Sequence, residues 1–380
     1  MSKKPLVFLI NSLCEGGAAR VMVNLAKVFS EQKEDVVILA LTKNDFYRVP
    51  DSVTVVYLSK MNDEMSGFRK MLYIPYHAFK LKKYIKKNEV TVVVSFLFRA
   101  NFINIIAKMI KSKHQAKVAN RSVVSRFLKE GLSGKLNMSL TRWLYPKADL
   151  IVHQSKRMKQ DFHEQVKCSV DEVVIYNPFD IKSILLESQK KIDFKFKEEN
   201  SYLVTVGRLI PLKRFEDLIE VLSELPSNVE LIMLGDGAEK DRLQKLAQKY
   251  AVTNRIHFIG QVKNPFPYIY QSDVFVSTSA VEGFPNVLVE SMVCNTFVVS
   301  SDCVSGPREI LAPKSDEKFQ LTLGKELTNH GILYAVGDKI ALKESIQKYL
   351  NSEALENSSH SRSLDFSMEN ISNSFLKIFY

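Results

Sequence analysis

The sequence predicts an α/β protein built from two doubly wound domains in tandem. Three observations predict it. Short, β-branched, continuously apolar runs recur with helical patterns between them, as parallel strands covered on both faces require. The series stops at a polar, lysine-rich stretch and then starts again. A chain of 380 residues, 46% of them hydrophobic, is long enough for two cores of ordinary size.

The first series runs PLVFLI, DVVILALT, VTVVYL, VTVVVSF, AKVAN, DLIVHQ and EVVIY. After its first strand, NSLCEGGAARVMVNLAKVF puts Ala18, Val21, Met22, Leu25, Val28 and Phe29 on one face, so a glycine-containing turn leads into an amphipathic helix. The stretch YNPFDIKSILLESQKKIDFKFKEENS opens on an Asn-Pro turn and becomes polar, which predicts a boundary between Asp180 and Glu199. The second series is SYLVTVGRL, VELIMLGDG, RIHFIG, DVFVSTS and TFVVSS. A polar break, NSEALENSSHSRS, then precedes a short terminal helix in LDFSMENISNSFLKIFY. The expected domains are residues 1–185 together with 364–380, and residues 186–363.

Charge is uneven along the chain. Between Lys60 and Lys159 there are 22 Lys/Arg against 5 Asp/Glu, a surplus of +17 where the whole chain carries +11. Such a field suits an anionic membrane surface, a nucleic acid or a phosphate-rich substrate. No nucleic-acid motif accompanies it, so nucleic acid is not an expected partner. No apolar run approaches the length that spans a bilayer, and MSKKPLVFLINSL reads as a first strand rather than a signal peptide. A cytoplasmic location is expected. Cys14, Cys168, Cys294 and Cys303 have neither C-x-x-C spacing nor a cluster, and the seven His are scattered, so zinc and a disulfide framework are not expected.

EGFPNVLVE, Glu282 to Glu290, places two carboxylates across a predicted helix start. With Pro285 as the first helical residue, Asn286, Val287 and Leu288 would offer backbone N–H groups to an anion. Glu290, a turn inside, suits neutral hydroxyls such as those of a ribose, while Glu282 faces the other end of the anion. Two solvated helix-end acids are the plain alternative. Cations are available in VGRLIPLKRF, where Gly207 and Arg208 follow a strand and Lys213 precedes a helix; strand ends of one sheet converge on one crevice. CEGGAAR is a possible phosphate approach from the first domain or a simple turn, since it is not G-x-G-x-x-G. No D-x-D occurs, so the common metal–diphosphate pattern is absent and no metal is expected.

Taken together, GGAARV, VIYNPFD, VGRLIPLKRF, LGDG, GQVKNPFPYIYQSDVFVSTSAVEGFPNVLVE and SDCVSGPREIL resemble glycosyltransferase family 4 over nearly the whole chain. The resemblance implies a GT-B fold, with two facing Rossmann-like domains and a C-terminal helix crossing back to the first. It implies retaining chemistry without cofactor or metal, with Arg208 and Lys213 on the diphosphate of a nucleotide sugar and Glu290 on the ribose. Glu282, Gly283 and Phe284 would meet the transferred sugar. Asn286, Val287 and Leu288 would supply N–H groups, Val262 would line the base, Gly207 would belong to the nucleotide-sugar site, and Gly17 would approach the diphosphate from the first domain. Many relatives carry a His in a first-domain loop; here the corresponding stretch is VANRSVV, which offers Asn120, Arg121 or Ser122.

The wording SDCVSGPREIL looks like bacterial enzymes that extend lipid-linked surface glycans, including capsule or O-antigen. The expected activity is transfer of a hexose or N-acetylhexosamine from a UDP-sugar to a polyprenyl-diphosphate-linked glycan, by an enzyme peripheral to the inner membrane face. A UDP-sugar epimerase of the same fold or a non-catalytic nucleotide-sugar-binding scaffold are the alternatives. Donor choice would turn on positions around Glu282 and Ser305–Gly306.

Overall fold

A computed structural model describes residues 4–14, 16–61, 67–351 and 359–380. The chain divides into two compact units, Met1–Phe179 with Met368–Tyr380, and Asp180–Ser367.

The strands of the first unit are β1 (Leu6–Ile10), β2 (Val36–Ala40), β3 (Thr54–Tyr57), β4 (Val92–Phe96), β5 (Gln115–Asn120), β6 (Leu150–His153) and β7 (Glu172–Val174). They form one parallel sheet in the order β3-β2-β1-β4-β5-β6-β7, the doubly wound pattern. The central strands β1, β2 and β4 are buried along their whole length, which explains their unbroken apolar runs. Its helices are α1 (Gly17–Glu31), α2 (Gly67–Leu72), α3 (Ile74–Lys87), α4 (Phe98–Met109), α5 (Gly131–Leu144) and α6 (Lys156–Gln165). One face of the sheet is covered by α3, α4 and α5, and the other by α1 and the terminal helix.

In the second unit the helices are α7 (Ile181–Ser188), α8 (Phe215–Leu222), α9 (Lys240–Lys249), α10 (Phe266–Tyr270), α11 (Asn286–Val293), α12 (Pro307–Leu311), α13 (Lys339–Leu350) and α14 (Ser359–Ser363). The strands are β8 (Ser201–Val206), β9 (Val229–Leu234), β10 (Ile256–Gly260), β11 (Val274–Ser277), β12 (Phe297–Ser301), β13 (Lys325–Thr328) and β14 (Gly331–Tyr334). The order is β10-β9-β8-β11-β12-β14-β13, parallel except for the edge pair β13/β14. The strand order reverses direction between β8 and β11. A crevice outside the carboxyl ends of those two strands is where an open α/β sheet binds ligands.

The last helix, α15 (Met368–Lys377), returns to the first unit, where Phe375, Ile378 and Phe379 enter the core beside α1. The outgoing and returning segments are joined there, Met368 N–H donating to the Phe179 carbonyl at 2.8 Å.

The structure departs from the sequence expectations at three places. The units divide at Phe179/Asp180 and Ser367/Met368, not at 185/186 and 363/364. The stretch read as linker begins with α7, whose Asp180 carboxylate accepts from Ser183 N–H at 3.0 Å while Ile181 and Ile184 are buried. β13 and β14 were not foreseen.

Candidate active site

At the carboxyl end of β8 the chain passes Gly207 and the exposed Arg208, enters a 3₁₀ turn at Pro211–Lys213, and turns through Arg214 at φ 49° into α8. Glycine at 207 makes room for the lysine stem. A Cβ there would stand 3.3 Å from Lys213 Cε and 3.6 Å from the Phe215 ring. Gly235 closes the same strand end from β9; at φ +139° its Cβ would fall 1.9 Å from the Gly207 carbonyl oxygen, so only glycine fits.

The loop after β11 is laced to this turn. Thr278 Oγ1 donates to the Lys213 carbonyl at 2.6 Å, and Ala280 N–H donates to Leu212 at 2.9 Å. The result is an ion pair across the two strand ends, Lys213 Nζ to Glu282 Oε1 at 2.5 Å. Ser279 Oγ donates to the same carboxylate oxygen at 2.7 Å, and Ser301 Oγ in turn holds the Ser279 carbonyl at 2.6 Å. The pair is mostly shielded, with side-chain exposures of 21% and 15%, so it is weakly screened by solvent. Cys303 is buried close by; burial, reinforced by the Glu282 charge, pushes its thiol up.

At the start of α11 the expected geometry is corrected by one position. Pro285 is the residue before the helix rather than its first residue, with ψ 92°. Leu288 N–H is also spent, donating to the Pro285 carbonyl at 3.0 Å, so it is not available to an anion. Asn286 and Val287 occupy the first turn, half-buried. Glu290 lies one turn on and is only 2% exposed. The loop after β12 braces this helix start: Ser305 Oγ donates to the Gly283 carbonyl at 2.6 Å, and Val281 bridges Val304. Gly306 packs so closely that a Cβ would stand 2.3 Å from Pro285 Cδ.

Three further residues of the expected site take the following places. The Phe284 ring is buried edge-on against Phe366, their centroids 5.5 Å apart. Val262 follows β10, half-buried, at the edge of the same sheet. Gly17 is the first residue of α1, exposed, at the strand-order reversal between β1 and β4 of the other unit. Of the three first-domain candidates, Asn120 is fully buried at the end of β5. Arg121 is turned inward, its guanidinium 4.1 Å above the Phe96 ring and 3.0 Å from Asn177 Oδ1, with burial pulling its pKa down to about 9. Ser122 is half-buried and accepts from Arg126 at 2.8 Å.

Sequence reasoning missed Ser279 and Thr278 and gave Gly235, within LGDG, no role of its own. The small polar residues in VSTSAVEG directly after an apolar run were the available signal. Among the described residues there is no group of three or more His, Cys, Asp or Glu side chains arranged to hold a metal ion.

Comparison with known proteins places this geometry in context. Residues 15–183 match the family "Glycosyltransferase Family 4", and residues 187–363 match "Glycosyl transferases group 1". A Campylobacter jejuni protein, N-acetylgalactosamine-N,N'-diacetylbacillosaminyl-diphospho-undecaprenol 4-alpha-N-acetylgalactosaminyltransferase, is 28% identical, with 98% of each chain covered. The lipopolysaccharide 1,6-galactosyltransferase of Escherichia coli is 25% identical over 68% of this chain and 72% of its own. Among solved structures, Anabaena HepE in complex with UDP superposes with a TM-score of 0.75 at 18% identity, covering 99% of each chain. The lipopolysaccharide outer core galactosyltransferase WaaB does so with a TM-score of 0.70 at 19% identity, covering 98% of each.

Proposed function

The chain belongs to glycosyltransferase family 4, and from that premise we propose that it moves a hexose or N-acetylhexosamine from a UDP-sugar, with retention, to a lipid-linked glycan on a polyprenyl diphosphate. The observation that carries the reading is the Lys213–Glu282 pair, held at 2.5 Å where the second sheet reverses its strand order. A donor diphosphate seated beside Gly207 would meet Arg208 and Lys213. Charge that develops on it as the sugar–oxygen bond breaks is stabilised there. Glu282 stands on the sugar side, where an oxocarbenium-like centre gains positive charge, and Glu290 takes the ribose hydroxyls. The acceptor hydroxyl attacks from the face the diphosphate leaves. Its proton passes to the departing phosphate oxygen, the new glycosidic bond forms, and UDP is released. No covalent nucleophile is needed, and the reaction as proposed uses no metal.

The lipid-linked acceptor follows from the names of the relatives, and it requires the enzyme to work at a membrane surface. No helix among the described residues is long and apolar enough to cross a bilayer. We assign the peripheral attachment to the cytoplasmic leaflet to α3, whose outer side exposes Tyr76, Phe79, Lys80, Lys83, Lys86 and Lys87. Near an anionic leaflet each such cation contributes about 1 kcal/mol. Lys82 is occupied otherwise, donating to the Ile110 carbonyl at 2.7 Å.

Release of free UDP, measured across a panel of UDP-sugars with and without a membrane extract, tests the reading. One donor is expected to respond, release should rise with extract, and chelator should leave it unchanged. Release from no donor, or turnover lost to chelator and restored by magnesium, would overturn it.

A further inference from the structure

Helix α5 is apolar on two opposite sides. Gly134, Met138, Thr141 and Leu144 are buried toward the core, whereas Leu132, Leu136 and Trp143 stand outward at 84%, 43% and 52% exposure. At about 100° per residue these three fall within about 40° of one another. They form a ridge about 16 Å long at 1.5 Å per residue. Leu128, 62% exposed in the turn before the helix, stands just ahead of it.

The charge around the ridge is one-sided. Lys129, Lys135, Arg142 and Lys147 flank it, and Glu130, paired with Arg126 at 3.0 Å, is the single acid between Arg126 and Ala148. The Lys147 ammonium sits 4.8 Å from the Trp143 ring centroid. Exposed apolar side chains rimmed by cations, with a tryptophan among them, match the boundary of an anionic bilayer, where amphipathic rings and lysines are favoured. The ridge also shares its layer with the basic face of α3, because α4 packs against both α3 and α5 on one side of the first sheet.

We propose that α5 is a second membrane contact, seating Leu132, Leu136 and Trp143 in the apolar boundary of an anionic leaflet while α3 supplies charge. The proposal rests on the peripheral attachment assigned above and adds insertion to it. Trp143 is the chain's only tryptophan, so emission excited at the red edge, where the tyrosines do not absorb, reports this helix alone in the full-length protein.

The test mixes the protein with vesicles of phosphatidylcholine, or of phosphatidylcholine with phosphatidylglycerol, and records both co-sedimentation and emission. With the anionic vesicles the emission should move to the blue and be quenched by acyl-chain-brominated lipid. Leu132→Asn with Leu136→Asn should lower vesicle partitioning at least about tenfold while leaving UDP binding intact, since two leucines no longer leave water. Co-sedimentation with unmoved emission would overturn insertion by α5 and leave the α3 attachment standing. No co-sedimentation with either vesicle would overturn both. A blue shift that grows with protein concentration in the absence of lipid, accompanied by a dimer in sedimentation velocity, would make the ridge a self-association surface and overturn the proposal.

Discussion

Replacing Lys213 with Ala separates what the Lys213–Glu282 pair does for the fold from what it does for transfer. Exposed pairs contribute about 0–1 kcal/mol, and breaking a fully buried one costs about 3–5 kcal/mol. With exposures of 21% and 15% this pair lies between those limits, so a cost of about 1–2 kcal/mol is expected, or a few degrees of melting temperature. Turnover should fall further, because a charge-assisted bond to the developing diphosphate is worth about 1.5–3 kcal/mol, which is roughly 10–150-fold. Adding Glu282→Gln removes the stranded carboxylate. The double variant should therefore regain stability but not activity. Thermal melts followed by circular dichroism, together with kcat and kcat/KM from UDP release, make the comparison. A folded Lys213→Ala protein with undiminished turnover, or a double variant that recovers activity along with stability, would refute the assigned role.

Three further outcomes are expected. Glu290→Gln should weaken UDP binding in calorimetry, whereas Glu282→Gln should bind UDP nearly normally and transfer poorly; equivalence of the two in both assays would remove the division of labour. Gly306→Ala forces a left-handed alanine, at about 1–2 kcal/mol, with its methyl 2.3 Å from Pro285 Cδ. It should lower both melting temperature and UDP affinity, and unchanged affinity would mean that the loop after β12 does not set the start of α11. Burial pushes the Cys294 thiol up to about 12 and raises Cys303 as well; both therefore stay protonated and unreactive at pH 8. Alkylation of the native chain read by mass spectrometry should spare these two until urea is added, and native labelling of Cys303 would contradict the packing around Glu282.

The strands of both central sheets were legible because burial on two faces leaves a continuous apolar signature, as LIMLG and FVVSS show. β13 was not, since an edge strand reading KELT is half-exposed and resembles loop. α7 was hidden by the lysines that follow it, which dominate composition while Ile181 and Ile184 do the packing. In the site, the spacing of Glu282 and Glu290 and the order of Gly207, Arg208 and Lys213 could be read locally. The pairing of Lys213 with Glu282 could not, because it joins residues far apart in sequence, and the small polar residues of VSTSAVEG mark a strand end without naming the partner they hold. Phe284 shows the same limit: its partner Phe366 comes from the far end of the second unit, and nothing in EGFPN announces it.

The return of α15 to the first unit has a consequence during synthesis. Phe8, in β1, packs edge-on against Phe379 at 5.1 Å, and Phe96 lies 6.3 Å from Phe375. On the ribosome the second unit therefore emerges, and can fold, while the first still lacks one wall of its core. Domains generally fold as they appear, amino-terminal first; here the amino-terminal of the two units is completed second, and until its closing helix emerges the apolar face along β1 and α1 lacks its cover.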